Sequence, residues 1–422
     1  RVRRLIEQDH YKEVYQEALE KSIHAIKQES LESKIFVGEL SLDGSIKKVP
    51  GVLSMIMEAK KSGFKEIYIP YDNLNEGNLL HDIKVYAVKS LNDLVSHLTG
   101  EKVLRPLKSE NILLNANKAY SIDFSDVRGQ FVARRALEIA AAGGHSILMV
   151  GSPGCGKTML ARRLVTILPP MTEAEALEVT KIYSIVGLLP SKGKIMLERP
   201  FRSPHHSISG SALLGGGNVP HPGEVTLAHN GVLFLDEFPE FERYTLEMLR
   251  QPLEDGDVSI SRVRAKMSFP SKFLLCAAQN PCPCGYLGDT LKHCTCKPSQ
   301  IAHYQRKISG PLLDRFDMQI NLQRVAYNEL KDIEPGECSE LIRERVVKAR
   351  ALQVARLEQY GLHCNAQMTR REVVKFCKLD TEATKLMERY FAVLQLSARS
   401  HDRILKVART IADLEGNESI TS

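Results

Sequence analysis

Two hydrophobic rhythms alternate along the chain. Nearly unbroken apolar runs of strand length occur at Ser146-Ile147-Leu148-Met149-Val150, Val232-Leu233-Phe234-Leu235 and Phe273-Leu274-Leu275-Cys276-Ala277-Ala278. Such runs suit strands covered on both faces, as in a parallel sheet. Helical spacing follows the first run from Met159 to Val165 and ends at Pro169-Pro170. It returns across residues 337–422, where charges recur at i, i+4. Residues 35–100 repeat the alternation on a smaller scale: Ile35-Phe36-Val37, a helix from Leu53 to Lys61, then Ile67-Tyr68-Ile69-Pro70. Residues 1–30 are charged and helix-prone, and residues 101–120 read as a linker. The pattern predicts an α/β fold with a domain at 1–100, a parallel-sheet core at 121–325 and a helical domain at 326–422.

Composition narrows this little. The chain has 422 residues, 43% hydrophobic and 26% charged, which is ordinary for globular domains. No apolar run approaches the roughly 18 residues that a membrane span needs, and no apolar leader is visible. The net charge of +6, from 57 basic and 51 acidic residues, permits a polyanionic partner without requiring one. Nine cysteines, an odd number in a large chain, predict reduced thiols or metal ligands in a cytoplasmic protein.

The sharpest chemical signal is GSPGCGKT at 151–158. A strand precedes it and a helix follows, the context in which a glycine-rich loop turns successive backbone N–H groups toward phosphate. Gly151, Ser152, Pro153, Gly154, Cys155 and Gly156 form the cradle. Lys157 is placed to meet the outer phosphates of ATP, and Thr158 to ligate Mg2+. A chance match in a glycine-rich turn is the bland alternative, and the flanking elements disfavour it. The run at 232–235 ends in Asp236-Glu237, carboxylates placed at a strand's C-terminal end: Asp236 for magnesium, Glu237 to orient the attacking water. Asn280, just past the third run, is placed to sense the γ-phosphate, although Asn before Pro281 is also a simple turn former. Arg315, in Leu312-Leu313-Asp314-Arg315-Phe316-Asp317, suits an arginine that completes a neighbouring subunit's site. A surface ion pair with Asp314 or Asp317 would be the weaker reading. Arg399 opens a basic amphipathic helix and could contact phosphate, with Arg403 as its rival. His205 and His206 are adjacent and cannot easily share one ion, which predicts hydrogen bonding or a contact near a loop. His229 reads as a satisfied histidine.

With these stretches in place, the chain resembles the magnesium-chelatase-related AAA+ ATPases, and specifically the ComM (YifB) family. DFSDVRGQ (123–130), RPFRSPHHSIS (199–209), PGEVTLAHNGVLFLDEFPEF (222–241), LRQPLEDG (249–256), NPCPCGY (280–286), ISGPLLDRFD (308–317) and LSARSHDRILKVARTIADLEG (396–416) carry the likeness in order. The resemblance implies an AAA+ P-loop core, a C-terminal helical lid and a hexameric ATP-driven DNA translocase that promotes branch migration. FVGELSLDGSIKKVPGVLSMIMEAKKSGFKEIYIP (36–70) resembles part of a Lon-type protease domain. Where that family carries a lysine, this chain reads Gly51-Val52-Leu53-Ser54-Met55. The implied Lon-like α+β domain is therefore incomplete and inactive as a protease. A motor subunit of a magnesium-chelatase-type complex, acting on a protein partner, is the alternative function. An unfoldase feeding an attached protease is undermined by the missing lysine.

Two further patterns bear on DNA and metal. Lys192, Lys194, Arg199 and Arg202 lie in a long excursion before Asp236 that ends in Gly215-Gly216-Gly217, expected as an insertion in the second core helix. Arg262, Arg264 and Lys266 alternate with apolar residues, so a strand would project all three from one face. In a hairpin facing a ring's pore they would hold phosphates without reading bases. The same alternation suits a charged edge strand. Cys282, Cys284, Cys294 and Cys296 fall in a C-x-C-x9-C-x-C pattern, which suits zinc. His293 could replace one thiolate, and a disulfide pair is the rival.

Overall fold

The computed structural model describes residues 26, 28–79, 83–108, 120–189, 195–217, 220–262, 265–324 and 336–421, with backbone only at 28, 29, 261, 262, 265 and 266. Arg264, Lys192, Lys194 and most of the expected linker lie outside the described residues. Two compact units emerge: residues 1–116 with 173–196, and residues 117–172 with 197–422.

In the first unit, β1 (Lys34–Phe36), β4 (Glu66–Pro70) and β5 (Lys84–Val88) form a parallel sheet in the order β1-β4-β5. A small hairpin joins β2 (Glu39–Leu40) to β3 (Ile46–Lys47). The helix Val52–Lys61 buries Val52, Leu53, Ile56 and Ala59, the spacing of one helical face. Against it packs the helix Glu173–Val186, whose sequence position is between the phosphate loop and Asp236. The buried carboxylate of Glu76 ties the two together, accepting from Leu53 N at 3.1 Å and from the Ser184 hydroxyl at 2.5 Å. The excursion is thus shared between units: its first helix belongs with the N-terminal sheet, while its glycine-rich end belongs with the core. Sequence periodicity cannot show this, because it reports which face is apolar and not what covers it.

The second unit holds a five-stranded, all-parallel sheet made of β6 (Ile147–Gly151), β7 (Phe201–Arg202), β10 (Val232–Leu235), β13 (Leu274–Gln279) and β14 (Met318–Leu322). Strand order is β14-β6-β13-β10-β7. Alternate residues feed opposite cores: Ile147, Met149, Phe234 and Cys276 on one face, Leu148, Val150, Leu235 and Ala277 on the other. That double burial explains the unbroken apolar runs. Helices Ser339–Leu357 and Ala398–Glu415 pack on the helix Phe131–Gly143, so the expected lid and core form one unit. Arg350 donates to the carbonyls of Ala141 at 2.8 Å and Ala142 at 2.9 Å, closing that helix's C-terminal end.

Two hairpins project from this frame: β8 (Gly215–Gly216) with β9 (His221–Pro222), and β11 (Asp257–Arg262) with β12 (Ala265–Pro270). The second corrects the single-strand expectation for 262, 264 and 266. Arg262 stands opposite Ala265 and Ser261 opposite Lys266. Directly paired positions share a face, so positions 262 and 266 fall on opposite faces of the ribbon. Arg199 and Arg202 also have internal work. Arg199 donates to the carbonyls of Pro169 and Asn230, both at 2.6 Å, and Arg202 forks onto Glu224 at 2.6 and 2.7 Å. Both brace the core and are not free to grip DNA.

Candidate active site

β6 delivers Gly151 to the sheet's C-terminal edge, and the helix Lys157–Ile167 leaves from there. Gly154 (φ 80°) and Gly156 (φ 96°) adopt left-handed backbone that side-chain-bearing residues avoid. Lys157 is buried and folds back on its own loop. Its Nζ donates to Gly151 O at 2.5 Å, Ser152 O at 3.1 Å and Asn280 Oδ1 at 3.1 Å. Burial lowers its pKa, while Cys155, Asp236 and Glu237 oppose the shift. A desolvated ammonium held by neutral oxygens is a poorly satisfied cation, and an incoming polyphosphate would compensate it better.

The neighbouring strands supply the acids. Thr158 Oγ1 donates to Asp236 Oδ2 at 2.6 Å, which brings together the two groups expected to share magnesium. Glu237 follows in left-handed backbone (φ 52°), an uncommon state for a non-glycine residue, and its N–H donates to Asp236 Oδ1 at 2.9 Å. The donor set therefore fits magnesium and a nucleotide triphosphate: a hydroxyl, a carboxylate, a lysine, a glycine-rich loop and a helix N-terminus.

The sequence singled out His206 but not its partner at the site. His206 Nδ1 lies 3.1 Å from Glu237 Oε2, with its ring 4.0 Å from that of His205. His205 bonds the Ser207 hydroxyl at 2.8 Å. The local expectation of hydrogen bonding holds for both, but the partner of His206 stands thirty-one positions away (237 − 206). No local spacing signals such a contact. His229 is buried and accepts from Lys272 N at 3.1 Å, as a satisfied histidine does.

Arg315 lies at the opposite end of the sheet. Asp317 N and Met318 N both donate to Ser146 O, just before β6, whereas the phosphate loop begins after Gly151. Five strand steps separate the two ends by about 16 Å. Arg315 pairs with Glu254, rather than with Asp314 or Asp317. Burial lowers its pKa first, and Arg399, Arg250 and Arg403 add repulsion. Asp314 instead meets Arg403, which also donates to the carbonyls of Asp314 at 3.0 Å and Phe316 at 2.9 Å. Asp317 meets the buried His145 at 3.0 Å, and His145 reaches the Thr410 hydroxyl at 2.8 Å. Arg403 is thus engaged in joining lid to core. Among the described residues Arg399 has no hydrogen-bond or ion-pair partner, and it lines a cationic cavity of about 400 Å³ with Arg370, Arg403 and Lys406. That difference favours Arg399 as the lid arginine available to a ligand.

Beyond Asn280, the sulfurs of Cys282, Cys284, Cys294 and Cys296 all lie within 4.8 Å of one another. The Cys282–Cys284, Cys282–Cys294 and Cys284–Cys294 separations are 3.4, 3.6 and 3.6 Å. A zinc tetrahedron with ~2.3 Å bonds spaces its sulfurs by about 3.8 Å, so the arrangement fits that ion. The thiols are free, not paired as a disulfide. His293 is not among the grouped ligands. The Tyr286 and Thr295 amides pull the Cys284 thiol down to about 6, whereas Cys294 and Cys296 in the same group are raised.

Comparison with known proteins places this geometry. Residues 123–330 match the family described as magnesium chelatase, subunit ChlI; residues 336–422 match its C-terminal region; and residues 18–73 match a subunit ChlI family. The chain is 44% identical over 391 residues to the competence protein ComM of Haemophilus influenzae, covering 91% of this chain and 75% of that one. It is 44% identical over 388 residues to the uncharacterised protein YifB of Escherichia coli, covering 91% and 74%. A more distant likeness, 28% over 141 residues, is to Lon protease 2 of Bacillus subtilis, covering 32% of this chain and 26% of that protease. Among the described residues no helix is long and apolar enough to cross a membrane.

Proposed function

The chain belongs to the ComM (YifB) family of magnesium-chelatase-related AAA+ ATPases, and from that premise we propose that it is an ATP-driven, hexameric DNA translocase that promotes branch migration during natural transformation or recombination. The observation that carries the ring is the separation of Arg315 from the phosphate loop of its own chain, about 16 Å by strand geometry. An arginine this far from its own nucleotide suits a site that a second subunit completes.

In this reading the loop amides and Lys157 hold the phosphates. Thr158 and Asp236 would hold magnesium, whose charge would offset that developing on the transferred group. Glu237 orients the water, Asn280 positions Lys157 and the terminal phosphate, and Arg315 of the next subunit, with the Arg399 that stands beside it, completes the enclosure. The hairpin Asp257–Pro270, bearing Arg262, Arg264 and Lys266, contacts the DNA backbone. The cysteine group holds a structural zinc ion. The name of the Haemophilus influenzae relative, a competence protein, supports DNA as the substrate over a chelatase partner.

ATP turnover measured without DNA and with forked, three-way and duplex DNA tests this. Stimulation by branched DNA, with strand displacement, is the expected result. Equal turnover in all conditions would transfer the motor to a protein substrate, as in the chelatase alternative. Replacing Arg262, Arg264 and Lys266 together should weaken DNA binding and flatten its salt slope by about 2 to 3, near one per lost phosphate contact. ATP binding should survive.

A further inference from the structure

The cysteine group sits directly against the phosphate loop. Gly285 has left-handed backbone (φ 84°), and a Cβ there would lie 2.7 Å from Pro153 Cδ. Asp289, in the same loop, has its side chain 1% exposed. Its carboxylate accepts from Leu291 N at 2.8 Å and Lys292 N at 3.0 Å, and from the Ser152 hydroxyl. Arg324, just past β14, lies 3.4 Å from that carboxylate and donates to Pro153 O at 2.7 Å, with its guanidinium 5.6 Å from the Tyr286 ring. Ser152 and Pro153 are thus held from outside the phosphate loop, by residues of the cysteine loop and by Arg324.

The cysteine loop has little else to keep it ordered. Leu287 and Leu291 are exposed, 38% and 67%, and Cys282 is its buried apolar anchor. A segment with so few apolar contacts pays its ordering entropy through cross-links or ligands. We infer that Asp289 and Arg324 are positioning residues for ATP, which transmit the order of the metal-bound cysteine loop to Ser152 and Pro153, so that nucleotide affinity depends on the metal. The inference rests on the zinc and ATP readings above. It adds a coupling between two sites. Metal binding orders the cysteine loop, the loop fixes Asp289, and Asp289 with Arg324 holds the phosphate cradle in its binding shape. The chemical step at Glu237 is not involved, so the signature is in affinity and not in turnover.

The test uses the full chain, purified without chelator, with zinc content, thermal melting, ADP affinity from a fluorescent analogue, and kcat measured in parallel. Asp289→Ala should keep its zinc and weaken nucleotide binding about tenfold, the size of one lost charge-assisted hydrogen bond. Its kcat at saturating ATP should stay within about twofold, since only ground-state binding is lost. Asp289→Asn, which keeps acceptor oxygen and shape, should recover part of the affinity. Removing zinc from the unaltered chain should weaken binding at least as much, and adding zinc back should restore it; this arm serves if Cys282→Ser with Cys294→Ser fails to fold. Zinc removal should have little further effect on Asp289→Ala, because the link is already cut. No zinc in the untreated chain overturns the inference at its base. Zinc that can be removed and replaced without any change in affinity overturns the coupling while leaving the zinc site standing. A kcat that falls while affinity holds overturns the positioning role.

Discussion

The two ends of the core sheet differ in what a single chain can finish. At the C-terminal edge, Lys157, Thr158, Asp236, Glu237 and Asn280 already touch one another within hydrogen-bond distance. At the N-terminal edge, Arg315 is held by Glu254 among three other arginines, and its guanidinium Nε is buried without a partner. The first end is assembled within one chain. The second is an arrangement of like charges that an anion from outside would relieve. In the proposed ring, binding would belong to the subunit and turnover to the assembly.

The strongest way to break the comparison is at the assembled end. Lys157→Ala should abolish turnover by at least about a hundredfold through loss of phosphate contact, whereas Glu237→Gln should bind ATP normally and lose about 10²- to 10⁴-fold in kcat alone. Isothermal binding beside steady-state turnover separates the two; equal losses of binding would remove Glu237 from its assigned role. At the unfinished end, Arg315→Ala should bind ATP as the unaltered chain does and turn over about 10³-fold more slowly. Mixed rings of Arg315→Ala and Lys157→Ala subunits should regain activity, since one whole site can be built from two defective chains. Failure of that rescue in verified mixed rings would make Arg315 structural.

A smaller effect is expected where this end joins the lid. His145 is fully buried between Asp317 and Thr410. Its replacement by alanine should cost about 1–3 kcal/mol of stability by leaving buried polar groups unpaired. Because Asp317 lies two residues from Arg315, kcat should fall with it, and ATP affinity should not; melting and turnover curves check both. The smallest effect is at His206. Its contact with Glu237 is partly exposed and worth at most about 1 kcal/mol, or about fivefold. His206→Ala should raise DNA-free turnover within that limit and reduce the stimulation by DNA. Unchanged stimulation would reduce the contact to a surface pair.

The same asymmetry decided what could be read from sequence. The phosphate loop, Asp236-Glu237 and Asn280 are each followed or preceded by a recognisable strand, so short motifs located them and the sheet brought them together. The contacts of His206 with Glu237, Glu254 with Arg315 and Asp289 with Arg324 join residues thirty-one to sixty-one positions apart, by subtraction of their numbers. Each is a choice among several available charges, which only the fold makes. The hairpin at 257–270 shows a subtler limit. The polar–apolar alternation of 262, 264 and 266 marked strand correctly, but the pairing of 262 with 265 puts 262 and 266 on opposite faces, which alternation alone does not reveal. The helix Glu173–Val186 fell in the excursion expected as an insertion in the second core helix, and its packing on Val52–Lys61 was illegible for the same reason.

That last helix makes the N-terminal unit a loop within a loop. The chain enters the core at 117, leaves it at 173 to pack with the first unit, and returns at 197. A peptide cut near residue 116 would leave 1–116 held to the rest of the chain only by packing on the helix Glu173–Val186, because residues 173–196 stay in the chain of the core. A chain begun at 117 would not be a clean ATPase module either. It would carry Ala176, Val179, Ile182 and Tyr183 on a helix whose cover had been removed, an exposed apolar surface on the remaining unit. Proteolytic nicking would leave a noncovalent complex, and genetic dissection of the two units requires excising 173–196 as well as the first 116 residues.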